Sequence, residues 1–203
     1  MITYLEGDAT DPQGLTPHEN KIIAHVCNDI GAWGRGFVLS LSKRWPHAEK
    51  AYRRWYQEQE DYVPDVTISD QTVLITGNGN RDNKGKMMLG TTQIVPVHFE
   101  PNFNDKPATH ITYVANMIAQ AGIFSKNNVA PIRYDAVEGC LHHVATFARI
   151  KNASVHMPRI GCGLAGGEWS KIEPVLERTL DEIKVFVYDF KSSGDARTVA
   201  WKQ

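Results

Sequence analysis

Two short stretches of the chain concentrate residues able to hold an anion. The first, Cys27-Asn28-Asp29-Ile30-Gly31-Ala32-Trp33-Gly34-Arg35-Gly36, and the second, Pro158-Arg159-Ile160-Gly161-Cys162-Gly163-Leu164-Ala165-Gly166-Gly167, carry seven of the 16 glycines between them. Glycine admits φ > 0 and lets backbone N–H groups approach a ligand closely. Each stretch follows an apolar, strand-like run and precedes a helical pattern, so a helix N-terminus adds partial positive charge beside the loop. Neither is a Walker loop, because no Gly-Lys-Ser/Thr follows. Neither fits the dinucleotide GxGxxG spacing, since Gly34-Arg35-Gly36 runs into Phe37-Val38-Leu39. Two loops in matching strand–loop–helix context could cradle two phosphates of a small molecule, whereas either alone reads equally well as a tight turn.

The side chains around these loops have alternative uses. Asp8 can accept a hydrogen bond from a ligand or cap a short helix around Asp11 to Leu15. Asn28 can touch a ligand or shape a turn. His25 sits mid-strand, where a satisfied core histidine is the default and a general base the alternative; Asp29 is a second candidate base. Trp33 either covers a cleft or plugs the core. Cys162, near a helix start, could have a lowered pKa, but no His lies close in sequence to pair with it, so packing or a backbone contact is the expectation. Arg133-Tyr134 precede a helix and either face the cleft or meet a surface carboxylate. The eight histidines are scattered, and His142-His143 occupy different sides of one helix, so no metal site is expected.

The elements that must position these residues follow from periodicity. Strands are expected at Ile2–Glu6, Lys21–Val26, Thr72–Thr76, Thr92–Val97, His110–Met117, Ser154–Met157 and Lys184–Phe190. Helical spacing runs from Phe37 to Trp45 and from Ala48 to Tyr56. Asp135 with Glu138, and Ser170 with Glu173, read as capping boxes opening two further helices. Gly77 to Lys86 and Glu100 to Lys106 read as loops. Alternating strands and helices imply an α/β sheet covered on both faces.

Composition narrows the classes. The chain has 203 residues, 42% hydrophobic and 22% charged, with a formal net charge of -1. A chain of this size buries about 70% of its unfolded surface, enough for a core without disulfides. Three separated cysteines form no CxxC pair, which argues against a disulfide scaffold or zinc ribbon. Near-neutral charge and the lack of a basic-aromatic patch argue against sequence-specific nucleic-acid binding. No apolar run reaches membrane-spanning length. The expectation is a soluble, cytoplasmic monomer with one domain over residues 1–190, an insertion around 61–87 and a polar tail at 191–203.

Three motifs resemble a macro domain, the ADP-ribose-binding module: Gly7-Asp8-Ala9-Thr10; His25-Val26-Cys27-Asn28 leading into Trp33-Gly34-Arg35-Gly36-Phe37; and Pro158-Arg159-Ile160-Gly161-Cys162-Gly163-Leu164. The last string is most similar to the branch with the terminal ADP-ribose protein glycohydrolase and chromatin-remodeller macro domains. The resemblance runs from Ile2 to about Tyr188. It implies a three-layer α/β/α sandwich with a mixed six- or seven-stranded sheet, and ADP-ribose or an ADP-ribosylated conjugate as the partner, with no cofactor. It further implies that Asp8, beside Ala9, accepts from the adenine amino group, with Tyr188 nearby. Trp33, Gly34, Arg35, Gly36 and Phe37 would line one phosphate loop, Arg159, Gly161, Cys162, Gly163 and Leu164 the other, and Asn28 would contact the distal ribose.

The activity implied is removal of ADP-ribose from an acidic side chain or similar conjugate, with a non-catalytic reader or an ADP-ribose 1″-phosphate phosphatase as alternatives. The chain departs from both catalytic patterns of the family. Val38 stands where the common branch has an Asp, and Ala165 stands where the glycohydrolase branch has its Asp after Gly-Cys-Gly-Leu. The stretch near Asn116-Met117, aligned with that branch's nucleophilic Lys, offers no amine. The remaining expectation is a held water, activated by the substrate's own phosphate and oriented by Asn28, with His25 or Asp29 assisting.

Overall fold

In a computed structural model, residues 2–12, 19–57, 74–76, 85–100 and 110–190 are described. Seven strands form one sheet: β1 (Ile2–Glu6), β2 (Asn20–Asn28), β3 (Leu74–Thr76), β4 (Thr92–Glu100), β5 (His110–Gln120), β6 (Ala153–Pro158) and β7 (Val185–Asp189). Their order is β1-β7-β6-β2-β5-β4-β3. The first five in that order are mutually parallel, while β4 and β3 are antiparallel additions at one edge. The parallel strands read as continuous apolar runs because helices bury both of their faces.

Alternation along β2 divides the core. Ile22 and Ala24 point into a cluster built with α3 (Tyr134–Lys151) and α4 (Trp169–Thr179), filled by Val137, Leu141, Val144, Ile172 and Leu176. Ile23 and Cys27 point oppositely, into a cluster with Trp33, Leu41, Trp45, Tyr52 and Trp55 of the first loop, α1 (Phe37–Arg44) and α2 (Pro46–Gln57). The architecture is therefore a three-layer α/β/α sandwich on a mixed seven-stranded sheet. No helix among the described residues is long and apolar enough to cross a membrane.

Neither expected capping box forms. Helix α3 begins one residue early, with extended Arg133 as its N-cap and no side-chain cap bond. Asp135 lies in the first turn, where its charge still suits the helix dipole. Glu138 instead takes both prongs of Arg178 at 2.7 and 2.8 Å, tying α3 to α4. Helix α4 likewise starts at Trp169 with Glu168 as the uncapped flank, and Glu173 accepts from the Tyr4 hydroxyl. Long-range partners outcompeted the local ones. Glu100, expected to open a loop, ends β4; the rest of the Glu100 to Lys106 loop, most of the expected 61–87 insertion and the 191–203 tail lie outside the described residues.

Candidate functional site

In open α/β sheets ligands bind at the carboxyl ends of the parallel strands. Strand order sets Asp8 after β1, the second glycine loop after β6, the first glycine loop after β2, and Gln120 at the end of β5. With strands about 4.8 Å apart, Asp8 and Asn28 stand about 14 Å apart along the sheet. The two glycine loops lie between those ends and meet: a Cβ built on Gly36 would sit 3.5 Å from Leu164 Cδ1.

The first loop is shaped by buried side chains. Asn28 Oδ1 accepts from the Ile30 and Ala32 amides at 3.1 and 2.9 Å, and its Nδ2 donates to the Ala32 carbonyl at 2.6 Å. Tyr52 donates to the Asn28 carbonyl at 2.8 Å. Gly31 has φ +69, with the Tyr56 ring where a side chain would go. Trp33 is 8% exposed, packs edge-on to His25 and donates to Ser42 Oγ at 2.8 Å. It is a core plug, not a cleft cover. Arg53 secures its carbonyl at 2.9 Å. Above this support Gly34, Arg35 and Gly36 are exposed. Gly36, with φ +75, opens α1 without a side-chain cap. Among the described residues no hydrogen bond engages the amides of Gly36, Phe37 and Val38. These are the unfilled donors that make a helix N-terminus an anion site.

The second loop is shaped by its own backbone. The Gly167 amide donates to the Gly161 carbonyl at 2.8 Å and Gly166 to Gly163 at 2.9 Å, closing two tight turns. Gly161 has φ +70 and rests on Ile132 and Ile172. Gly163 and Leu164 keep their amides free among the described residues, and Leu164 is 63% exposed. Cys162 does not have the lowered pKa its position suggested: partial burial pushes its thiol up to about 11, outweighing nearby Arg159. Arg159 itself is bidentate to Asp189 at 2.6 and 2.8 Å and lies over the Tyr4 and Trp169 rings. That guanidinium fastens β6 to β7 instead of offering a free charge to a phosphate.

At the β1 end, Asp8 Oδ1 accepts from the Thr10 amide and hydroxyl at 2.8 and 2.9 Å. This short turn leaves Oδ2 unengaged among the described residues, and most of the Asp11 to Leu15 helix considered from sequence lies outside them. Ala9 is buried against Phe186 and Tyr188. Tyr188 is also buried, with its hydroxyl on His156 Nδ1 at 2.9 Å and its ring edge 3.6 Å from a Cβ built on Gly7. It supports the Asp8 loop from behind.

Neither candidate base is free. His25 is 2% exposed, and its Nε2 meets Asn116 Oδ1 at 2.5 Å. Asn116 in turn donates to Gln93 at 2.9 Å. Burial lowers the imidazole pKa to about 4 and holds it neutral, so its role is to floor the first loop. Asp29 has both oxygens committed, Oδ1 to the Gly122 amide at 2.6 Å and Oδ2 to Lys86 at 3.1 Å. It clamps three segments together at the β2/β5 end of the cleft. Lys86 could not be placed there from sequence, since 57 positions separate it from Asp29.

Sequence reasoning also missed the segment between β5 and α3. Gln120 bridges Ile132, the Ala121 amide donates to Pro131, and Lys126 and Val129 exchange both amide bonds at 3.1 and 3.0 Å. Asn127 (φ 52) and Asn128 (φ 61) form the two-residue turn of this hairpin. The Asn-Asn pair was the available signal, since asparagine tolerates left-handed backbone. Arg133 meets no carboxylate among the described residues: its Nη1 donates to the carbonyls of Ala130, Pro131 and Ile132 at 2.6 to 3.1 Å. Among the described residues no group of His, Cys, Asp or Glu could hold a metal ion.

A three-layer sandwich whose parallel strands end in two adjoining glycine loops has clear relatives. A macrodomain protein from Streptomyces coelicolor is 37% identical with a TM-score of 0.60, the match covering 93% of this chain and 99% of that one. A Bacteroides thetaiotaomicron protein of unknown function is 43% identical with a TM-score of 0.66, over 93% and 98% of the two chains. This chain belongs to the macrodomain family. Among curated relatives, the ADP-ribose 1″-phosphate phosphatase of Candida albicans is 24% identical over 93% of this chain and 99% of its own length. The mouse chromodomain-helicase-DNA-binding protein 1-like is 26% identical over 95% of this chain, which spans only 18% of that relative's length. No protein-family model matches.

Proposed function

We propose that the cleft binds ADP-ribose and that the protein hydrolyses ADP-ribose from ester-linked conjugates such as acidic side chains. The observation that carries this reading is the contact of the two glycine loops, Gly36 against the Leu164 side chain, each loop keeping backbone amides unengaged among the described residues, in line between Asp8 and Asn28 in the strand order. A diphosphate fits such paired amides, supported by the α1 N-terminus and by exposed Arg35. Asp8 Oδ2, acceptor-only, suits an adenine amino group. The distal ribose and its attached group then extend toward Asn28 and Gln120.

Neither loop offers a catalytic carboxylate: Val38 and Ala165 are apolar, and Asp29 and His25 are committed to structural partners. Water activation therefore falls to the substrate's own phosphate. Water adds across the ester, its C–O bond breaks, and a free carboxylate and the hydroxyl of ADP-ribose are released. Amides of the first loop stabilise the developing charge. A phosphatase acting on ADP-ribose 1″-phosphate is the second reading, favoured by a relative of that name that matches end to end.

Calorimetric titration with ADP-ribose is the first test, followed by turnover of a glutamate-linked ADP-ribosyl protein and of ADP-ribose 1″-phosphate. Micromolar binding with release from glutamate is expected. No heat at millimolar ADP-ribose removes the reading altogether, and phosphate release alone moves the assignment to the second one.

A further inference from the structure

The hairpin from Ala121 to Ile132 stands where the proposed ligand ends. It follows β5, one strand beyond the first loop, on the side away from Asp8. Both glycine loops are fastened to it. The Gly122 amide holds Asp29 Oδ1 at 2.6 Å, the Ile132 amide donates to the Ala165 carbonyl at 3.2 Å, and Ala130 Cβ lies 3.2 Å from a Cβ built on Gly166. Its backbone is therefore fixed relative to the two loops by two hydrogen bonds, one close packing contact, a paired turn and the Arg133 cap.

Its surface is unlike the rest of the rim. Phe124 is 77% exposed, Val129 56% and Ile123 40%, although each belongs to a class of side chain usually found inside. Across the Ala130–Gly166 contact stands the second loop, with exposed Leu164. From Ala121 to Pro131 only Lys126 is charged. Rigid, apolar and nearly uncharged, this face matches apolar side chains of a polypeptide. A polyanionic nucleic acid would call for a cluster of cations.

Resting on the reading of the cleft as an ADP-ribose site, we propose that this hairpin recognises the polypeptide flanking the modified residue, so that the substrate class is ADP-ribosylated protein. Phe124 and Val129 provide the contact, and Asp29 and Lys86 act as positioning residues that hold the hairpin in place.

The test compares affinity for three probes: free ADP-ribose, a peptide bearing ADP-ribose through a non-hydrolysable linkage and flanked by apolar residues, and a DNA oligonucleotide bearing ADP-ribose at one end. The wild-type protein is expected to bind the peptide about tenfold more tightly than free ADP-ribose. The Phe124→Ser/Val129→Ser variant, changed only at exposed positions, should bind free ADP-ribose as before and lose the peptide preference. Equal wild-type affinity for peptide and free ligand, preference for the oligonucleotide, or a preference retained by the variant overturns the proposal while leaving the cleft intact. A wild-type protein that fails to bind even free ADP-ribose overturns the cleft reading itself, and the hairpin's role with it.

Discussion

The two glycine loops reach a similar end by different means. Behind the first loop stand side chains from three segments: Asn28 on β2, Tyr52 and Arg53 on α2, and Trp33 plugged between them. The second loop is held by glycine-to-glycine backbone bonds over the isoleucines Ile132 and Ile172. The rim of the first loop should therefore fail when a polar side chain is removed, and the second loop when a Cβ is added at Gly161 or Gly167. Each also has a buried neutral histidine beneath it: His25 under Trp33 and Phe37, and His156 on the strand that feeds the second loop.

Acid should undermine both at once, and by the largest margin. Burial lowers His25 to about 4 and His156 to about 3, below the value near 6.5 of an unfolded chain. In that window the unfolded state binds more protons, so stability rises with pH and is lost as pH falls from about 6.5 towards those folded values. Each histidine should contribute a slope of about 1.4 kcal/mol per pH unit there. Denaturant melts between pH 7 and 4.5 measure it, and His25→Gln should make the slope shallower by one histidine's share. A flat profile would mean that the imidazoles are not held neutral.

Adding a methyl group to the second loop comes next. In Gly167→Ala the new Cβ would lie 2.7 Å from the Gly161 carbonyl oxygen, a backbone atom that cannot swing aside. A loss of about 2–3 kcal/mol is expected, with ADP-ribose affinity falling too. Gly34→Ala on the first loop meets nothing within 4 Å and should stay within about 0.5 kcal/mol. Equal effects would erase the distinction between the loops.

Removing the first loop's polar organiser should cost somewhat less. Asn28→Ala deletes three hydrogen bonds within the loop and leaves the Ala32 carbonyl without its donor. About 1–3 kcal/mol is expected in chemical melts, together with weaker ADP-ribose binding by calorimetry. Unchanged binding and turnover would separate this residue from the site.

The smallest effect sharpens the assignment of Trp33. Trp33→Phe keeps most of the apolar ring and loses the bond to Ser42 Oγ. Stability should fall by about 1 kcal/mol with ADP-ribose affinity unchanged. A selective loss of affinity would return this residue to the cleft.

The sequence was most legible where the signal is local. Seven strands and four helices were expected within a few residues of where they lie, because apolar runs and 3.6-residue stripes report burial directly. Both glycine loops were also legible, since glycine spacing records a backbone need. The helix starts were misread because Glu138 and Glu173 met partners forty or more positions away, Arg178 and Tyr4. The resemblance put Arg159 and Trp33 at the ligand, Asp29 was a candidate base, and His25 had a core role as its default; tertiary partners engage all four. The hairpin after β5 left only its Asn-Asn turn as a trace.

By itself the sequence determined the layered α/β class, the family resemblance and the two amide loops, because patterning and glycine chemistry are written residue by residue. Only the tertiary structure decided which polar groups remain free for a ligand. A hydrogen-bonding side chain near a loop is available only when nothing else in the folded chain satisfies it, and those partners arrive from distant strands and helices. Among the described residues it left Asp8 Oδ2 and the loop amides open, enclosed His25, and tied Asp29 to Gly122 and Lys86.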